Sequence, residues 1–296
     1  MKPISEAWVC QLEITNFCGR NCLYCSRYQR HLRKDQRYHM SLKFLEKALD
    51  SLKYWPGKIG AMGGEPILHP EFEACCELIR SKFPKDKMGL WTSGGKNYDK
   101  LKPVIDKTFG FVAYNEHNSD QQEVCKHQPI TLSIKDLVPD KDLRDKLIND
   151  CCVQKIWAPA INPKGGFFCE IAAALDLLLD GPGGYELTPD WWKKSPKEYK
   201  NQVDENCGIC GMAIPYEREL IKNQVEKFSP STLKLFRDLK LPNVEDNKIK
   251  LITEQLDEAA VRENCRLWTP GNYREDIKSD ENAPEGHGSS IFDEDK

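Results

Sequence analysis

Three cysteines near the N-terminus, Cys18, Cys22 and Cys25, form a Cys-x3-Cys-x2-Cys run. Three thiolates from one short loop can hold three irons of a [4Fe-4S] cube and leave the fourth iron open to a small molecule. A disulfide framework fits less well, because residues 1–14 show no export signal and cysteine-rich chains in reducing compartments more often bind metals. Zinc also fits less well, since no fourth Cys or His lies at finger-like spacing. The run predicts an iron-sulfur centre with an open coordination position.

The run resembles the cluster-binding loop of the radical S-adenosylmethionine (radical SAM) superfamily, and a second motif carries the same resemblance. Gly63, Gly64, Glu65 and Pro66 follow an apolar stretch and are similar to the superfamily's GGEP turn. The resemblance implies that this turn binds the methionine amine of SAM and that Tyr24 lies against the adenine. Glycine permits close approach to the backbone, and the Glu65 carboxylate can fix the turn by accepting hydrogen bonds.

Strand and helix patterns alternate over the first half of the chain, which is typical of βα units around a parallel sheet. The predicted strands cover residues 8–14, 59–62, 88–92, 109–114 and 130–134, and the predicted helices begin after Ser41 and cover 70–81 and 97–106. We therefore expect an α/β fold with a partial, open parallel β/α barrel of radical SAM type. Functional loops follow strand ends in such barrels, which makes Ser93 a candidate contact to SAM.

The length of 296 residues allows one large core with a small accessory domain. We expect the radical SAM barrel in residues 1–150, an auxiliary-cluster module in 151–215 and a helical extension in 216–275. Residues 276–296 are acidic and rich in Gly, Ser and Pro, which predicts a disordered tail.

A second cysteine group begins at Cys151. Its members are Cys151, Cys152, Cys169, Cys207 and Cys210. A hairpin turn is predicted at 163–166, with arms at 156–161 and 167–169, and a helix at 170–180 follows before the Cys-x2-Cys turn. This order resembles the twitch module, a short relative of the SPASM domain, and the first spacing is similar to that in 2-deoxy-scyllo-inosamine dehydrogenases.

The twitch resemblance implies an auxiliary [4Fe-4S] cluster held by Cys151, Cys169, Cys207 and Cys210. Cys152 is the alternative to Cys151, because adjacent residues on an extended chain point in opposite directions. A zinc site with four cysteine ligands remains a further alternative at this spacing.

A basic stretch follows the first cysteine loop. At helical spacing Arg27, Arg30, Lys34 and Arg37 share a face, which indicates either a solvated surface or a clamp for an anionic substrate group. In the clamp hypothesis, Arg27, Arg30 and Arg33 bind a phosphate or carboxylate of the substrate.

Among the remaining cysteines, Cys125 lies close in sequence to His117 and His127. It is a candidate catalytic hydrogen-atom donor, a role that a cysteine has in some radical SAM epimerases. Cys10, Cys75 and Cys76 lie within predicted elements and are expected to be core or helix-surface residues.

The superfamily resemblance implies an enzyme that reductively cleaves SAM to a 5'-deoxyadenosyl radical and abstracts hydrogen from a small-molecule substrate. A reductant such as flavodoxin or ferredoxin is the implied partner. Oxidation of a sugar or cyclitol alcohol with help from the auxiliary cluster is the favoured reaction. Epimerisation, peptide modification and a non-catalytic zinc or iron-sulfur module are the alternatives.

Charge and hydropathy exclude other classes of function. The net charge of -3 and the pI of about 6.1 provide no general attraction to nucleic acid. No apolar run approaches the roughly 20 residues that cross a bilayer, so we expect a cytoplasmic protein without membrane partners.

Overall fold

The computed structural model describes residues 1–115, 126–156 and 159–267. The strands in these ranges are β1 (Val9–Thr15), β2 (Lys58–Gly63), β3 (Met88–Thr92), β4 (Phe111–Tyr114), β5 (Lys126–His127), β6 (Ala160–Asn162), β7 (Gly165–Phe167), β8 (Glu219–Leu220), β9 (Glu226–Phe228) and β10 (Ile249–Leu251). The α-helices are α1 (Leu42–Ser51), α2 (Phe72–Lys82), α3 (Tyr98–Thr108), α4 (Ile134–Leu137), α5 (Lys141–Asn149), α6 (Cys152–Ile156), α7 (Glu170–Leu178), α8 (Lys200–Asn206), α9 (Pro230–Asp238) and α10 (Glu258–Leu267).

Six strands form the central sheet in the order β4-β3-β2-β1-β6-β7. Strands β1 to β4 and β6 pair in parallel, and only β7 runs antiparallel as the second arm of a hairpin. The predicted α/β class with a mainly parallel sheet is confirmed. Within the described residues the sheet stays open, which is consistent with a partial barrel.

The two faces of the sheet differ because successive strand residues point to opposite sides. On β1, Cys10, Leu12 and Ile14 belong to the main core, together with buried residues of α1, α2 and α3. Gln11 and Glu13 alternate with them and point to the other face, yet they are also buried. This second face is the inner face of the partial barrel, where polar side chains need partners within the protein.

The first three helices follow the predicted pattern. Ser41 caps α1 by accepting a hydrogen bond from the Phe44 backbone N–H at 3.2 Å. Helices α2 and α3 lie within two residues of their predicted bounds. Among the described residues no helix is both long enough and apolar enough to cross a membrane.

The predicted fifth strand at residues 130–134 is wrong. Ile130 and Leu132 lie in a turn that begins at Pro129, and Ile134 starts α4. Proline fixes its own φ and lacks the N–H that a strand ladder needs. Alternate apolar residues are fully buried here without a sheet, because the turn packs against later segments: Ser133 Oγ donates to the Gly208 carbonyl at 2.9 Å.

The predicted hairpin forms in β6 and β7, with a shorter first arm than expected and a second arm that begins two residues earlier. Its first arm does not begin at residue 156, because Ile156 ends α6. Strand β6 pairs with β1, so the hairpin extends the central sheet and does not stand apart from it. The segment predicted as a helical extension contains α9 and α10, but also the paired strands β9 and β10.

Candidate functional site

The first cysteine loop leaves the carboxyl end of β1 and contains Cys18, Cys22 and Cys25, which are partly exposed. Burial, with a contribution from the nearby Cys25 thiol, raises the pKa of Cys18 to about 11 and that of Cys22 to about 12. The structure thus brings the three predicted ligands together. Because three neighbouring thiolates repel one another, a bound cation is what favours their common deprotonation.

The Gly63-Gly64 turn is fastened to the beginning of this loop. The Gly64 N–H donates to the Thr15 carbonyl at 2.8 Å, and the Glu65 N–H donates to the Phe17 carbonyl at 2.7 Å. A Cβ atom on Gly63 or Gly64 would overlap these two carbonyl oxygens, and Gly63 has a φ of +142°. The glycines are therefore required by the approach of the chain to itself.

Glu65 links the same turn to the end of β3. Its buried carboxylate accepts hydrogen bonds from the Thr92 hydroxyl, from the Ser93 N–H at 2.8 Å and from the Ser93 hydroxyl at 2.7 Å. Arg20, inside the cysteine loop, donates from Nε to Ser93 Oγ at 3.1 Å. The cysteine loop, the Gly-Gly turn and the end of β3 form one hydrogen-bonded unit. The direct contacts of Ser93 and Pro66 with SAM stay predictions.

Later parts of the chain pack on the other side of the loop. Tyr24 is buried, has a φ of 53°, and its hydroxyl accepts a hydrogen bond from the Lys227 N–H at 2.8 Å. The Leu23 N–H donates to the Ile221 carbonyl at 3.0 Å, and the ring of His127 lies 3.0 Å from the Leu23 carbonyl. Tyr24 thus packs within the protein, and its contact with adenine stays a prediction.

Residues 12–114, which include the cysteine loop and the Gly-Gly turn, match the family model of the Radical SAM superfamily. The chain contains a radical SAM domain. No curated protein sequence matches this chain.

Two solved structures of BtrN are similar to the fold at low identity. One, of BtrN in complex with AdoMet and 2-DOIA, has 13% identity and a TM-score of 0.46 and covers 68% of this chain and 88% of its own. The other, of SeMet BtrN in an open conformation, has 13% identity and a TM-score of 0.44, with 73% and 91% covered. A likeness at this level does not define an activity.

The radical SAM domain implies a [4Fe-4S] cluster and SAM, and the donor set fits the cluster. Cys18, Cys22 and Cys25 provide three thiols, the ligand type that iron-sulfur clusters take. Within the described residues, no three His, Cys, Asp or Glu side chains converge closely enough for a single metal ion. A four-iron cube holds its cysteines further apart than one ion does, so this spacing does not test the cluster.

The second cysteine group surrounds a cavity that is partly open to solvent. Cys151, Cys169, Cys207 and Cys210 all line it, together with apolar residues such as Phe168. Cys152 is not among the lining residues. The structure brings the four predicted auxiliary ligands to one cavity, and the choice of Cys151 over Cys152 stays a prediction.

These four thiols come from separate parts of the fold. Cys151 precedes α6, Cys169 directly precedes α7, and Cys207 and Cys210 bound a short 3-10 turn after α8. Burial raises the pKa of Cys207 well above its ordinary value, with further contributions from Cys169, Cys210 and Cys151. Their mutual influence on pKa indicates that these thiols lie close to one another.

The clamp predicted from the basic stretch is not assembled. Residues 29–31 and 34–36 form two short 3-10 helices, so the common helical face is wrong. Arg27 pairs with Glu13 and Glu170, Arg30 with Glu226, and Arg33 with Asp180. Each guanidinium is directed to its own carboxylates, and the three do not converge on one anion site.

The other cysteines divide into two groups. Cys10, Cys75 and Cys76 are fully buried in β1 and α2, which confirms them as core residues. Cys125, the candidate hydrogen-atom donor, and His117 lie outside the described residues.

The sequence reasoning missed Glu13 and Glu170, the partners of Arg27. A signal for Glu13 was present, because Gln11 and Glu13 interrupt an otherwise apolar strand at alternate positions. Glu170 offered no such signal, since an acidic residue in the first turn of a helix is ordinary.

Proposed function

We propose that this chain is a radical SAM oxidoreductase that oxidises an alcohol of a small sugar or cyclitol substrate with the help of an auxiliary [4Fe-4S] cluster. The cavity lined by Cys151, Cys169, Cys207 and Cys210 is the observation that carries the proposal. In a chain with a radical SAM domain, a second four-thiol site supports a reaction that needs a second redox centre.

Cys18, Cys22 and Cys25 would hold a [4Fe-4S] cluster that would supply hydrogen-atom abstraction through reductive cleavage of SAM, and Cys151, Cys169, Cys207 and Cys210 would hold an auxiliary cluster that would supply an acceptor for one electron. The protein contributes position and exclusion of water. Gly63 and Gly64 hold the turn against the cysteine loop, and Glu65 ties that turn to Thr92 and Ser93. These contacts hold the turn and the cysteine loop in one unit, which supports a common binding site for SAM and the cluster.

The electron count favours oxidation over a redox-neutral reaction. Converting an alcohol to a carbonyl removes two electrons and two protons from the substrate. One electron and one proton leave as the hydrogen atom that converts the radical to 5'-deoxyadenosine. The second electron needs an acceptor and the second proton needs a base or water. The auxiliary site offers that acceptor, whereas an epimerase needs none. The choice of a sugar or cyclitol follows from the sequence resemblance alone.

The test compares iron, sulfide and Mössbauer spectra of anaerobically reconstituted wild type with those of the triple variant Cys18→Ala, Cys22→Ala, Cys25→Ala. We expect about eight irons in the wild type and about four in the variant. SAM cleavage to 5'-deoxyadenosine is expected only in the wild type. A panel of amino-sugars and cyclitols is then assayed for carbonyl products.

Cys76→Ala is the matched control for loss of a cysteine, since Cys76 is buried in α2 away from both donor sets. It should retain about eight irons. About four irons in the wild type and none in the triple variant would contradict the auxiliary cluster and favour a redox-neutral reaction. In that case the second cysteine group would be empty or would bind zinc, and one zinc ion per chain would establish the zinc alternative. Absence of SAM cleavage would contradict the enzyme.

A further inference from the structure

Arg27 and its two carboxyl partners, Glu13 and Glu170, form a group of buried ionisable side chains next to the cysteine loop. Arg27 Nε lies 2.7 Å from Glu13 Oε1, and Arg27 Nη2 lies 3.0 Å from Glu170 Oε2. The three side chains are at most 8% exposed. Arg27 also donates to Gln11 Oε1, next to Glu13 on the inner face of the sheet. We call Glu13, Arg27 and Glu170 the buried triad.

The buried triad connects the two cysteine groups. Arg27 follows Cys25 by two residues, and Glu170 directly follows Cys169, so one ion pair joins segments 143 residues apart in sequence. Burial raises the pKa of the Cys25 thiol, and the nearby backbone N–H groups of Arg27 and Gln29 oppose that rise. Arg27 therefore acts on the loop through its backbone, while its side chain is anchored to β1 and to the start of α7.

The buried triad contains one cation, Arg27, and two carboxyl groups; burial raises the pKa of Glu13 above its ordinary value, against the opposing effect of Arg27. In a buried region of low dielectric constant, such charges act strongly on neighbouring groups, because water does not screen them. The potential of an iron-sulfur cluster depends on the nearby net charge and on hydrogen bonds to its sulfurs. A purely stabilising role does not account for these buried charges, since a buried ion pair is often no more stabilising than well-packed apolar side chains in its place.

We propose that the buried triad is a positioning and charge-tuning element that links the two cluster sites and sets the reduction potential of the cluster at Cys18, Cys22 and Cys25. This inference rests on the proposed function, because it requires that cluster. Arg27 raises the potential by favouring the added electron, and Glu170 opposes it. In this role Arg27 supports the cluster and does not bind a substrate anion, which replaces its assignment to the clamp.

The test is an EPR-monitored redox titration of the reconstituted full chain, in which SAM addition identifies the signal of the cluster at Cys18, Cys22 and Cys25. Arg27→Met should shift its reduction potential to more negative values, because the added electron then meets less positive charge. Glu170→Gln should shift it in the opposite direction. The double variant Arg27→Met, Glu170→Gln should lie between the two.

Arg80→Met is the control for charge, because it removes one arginine that is exposed on the outer helix α2. Its potential should equal that of the wild type, since solvent and salt screen an exposed charge. Arg27→Lys keeps the cation and should restore most of the wild-type potential. If Arg27→Met does not fold, Glu170→Gln tests the proposal alone: a more positive reduction potential supports it, and an unchanged or more negative potential contradicts it.

The two proposals fail in different ways. Unchanged potentials in variants that hold the cluster, or shifts of the same sign for Arg27→Met and Glu170→Gln, would overturn the tuning role and leave the proposed function intact. A wild-type protein without iron at Cys18, Cys22 and Cys25 would overturn both.

Discussion

The thiols of the first cysteine loop come from one segment of the chain, whereas those of the second cysteine group come from several. Cys18, Cys22 and Cys25 come from one loop of eight residues, so a short stretch of sequence contains the whole donor set. The cavity draws Cys151, Cys169 and the Cys207/Cys210 turn from three separate segments. A local motif can be recognised from its spacing, whereas a donor set assembled from distant segments depends on the packing of the helices between them.

The two regions are also supported differently. The cysteine loop is tied by hydrogen bonds to the Gly-Gly turn and to the end of β3. The cavity is lined mainly by apolar and sulfur groups, with Phe168 and Leu175 among its walls. Single backbone changes should therefore disturb the first site most, and changes of ligand identity should disturb the second.

The largest effect is expected from Gly64→Ala. The new methyl group would overlap the Phe17 carbonyl and move the cysteine loop. A displacement of about 1 Å near reacting groups costs on the order of 100-fold in rate, so SAM cleavage should fall by at least about that factor. Gly19→Ala is the matched control in the same loop, because nothing lies within 4 Å of its added Cβ. Equal rates for both variants would contradict the role of this contact.

The next effect distinguishes Cys151 from Cys152. Cys151→Ala should reduce the iron content from about eight to about four per chain, because it removes one ligand of the cavity. Cys152→Ala should leave the iron content unchanged, since Cys152 does not line the cavity. Iron and sulfide analysis with Mössbauer spectra measures both. The reverse pattern would assign Cys152 as the ligand.

The ring of His127 lies against the Leu23 carbonyl of the cysteine loop, and we expect it to make the stability of the protein depend on pH. Burial lowers the pKa of His127 to about 4, so the folded protein favours the neutral ring. The neutral His127 ring contributes fully to the free energy of unfolding above pH 6.5. This contribution, at most about 3 kcal/mol, is lost as the pH falls from 6.5 towards 4.

Urea unfolding of the metal-free protein at pH 7.5 and pH 5 checks this dependence. The variant His127→Gln keeps a hydrogen-bond donor near the Leu23 carbonyl but does not titrate. Between pH 7.5 and pH 5 the stability of this variant should therefore fall less than that of the wild type. The difference between the two losses measures the contribution of His127, because all other titrating groups are the same in both proteins. An equal loss in both proteins would show that His127 does not contribute.

The smallest effect is expected from Tyr24→Phe. The change leaves the Lys227 N–H without its acceptor and should lower the free energy of unfolding by about 1 kcal/mol. The affinity for SAM should be unchanged, because the ring remains. Tyr24→Ala removes the ring as well, and isothermal titration with SAM then measures the predicted adenine contact. Unaltered affinity in Tyr24→Ala would contradict that contact.

Several features of the fold and site followed from local sequence. The alternation of strands and helices predicted the parallel sheet, and the caps and apolar stripes predicted the start of α1 and both ends of α2 and α3 within two residues. The failures occurred where local signals were ambiguous. Residues 130–134 alternate like a strand, but Pro129 and packing against residues 208–229 bury them as a turn and a short helix.

The basic stretch failed for a related reason. Its helical spacing suggested a common face, but residues 29–36 contain 3-10 turns, and each arginine reaches a carboxylate from a distant segment. Sequence spacing cannot show such partners. The packing of α7 and β9 against the loop decides which carboxylate each arginine reaches.

The sequence by itself determined which residues are the candidates for the first site, because all three thiols and the Gly-Gly-Glu-Pro turn are encoded in short motifs whose geometry is local. Only the tertiary structure decided which four cysteines share a cavity, that the hairpin joins the main sheet through β6, and that Arg27 lies between Glu13 and Glu170. The physical reason is the same in each case. A buried charge or thiol takes its environment from neighbours that packing brings from far along the chain, and no local spacing specifies them.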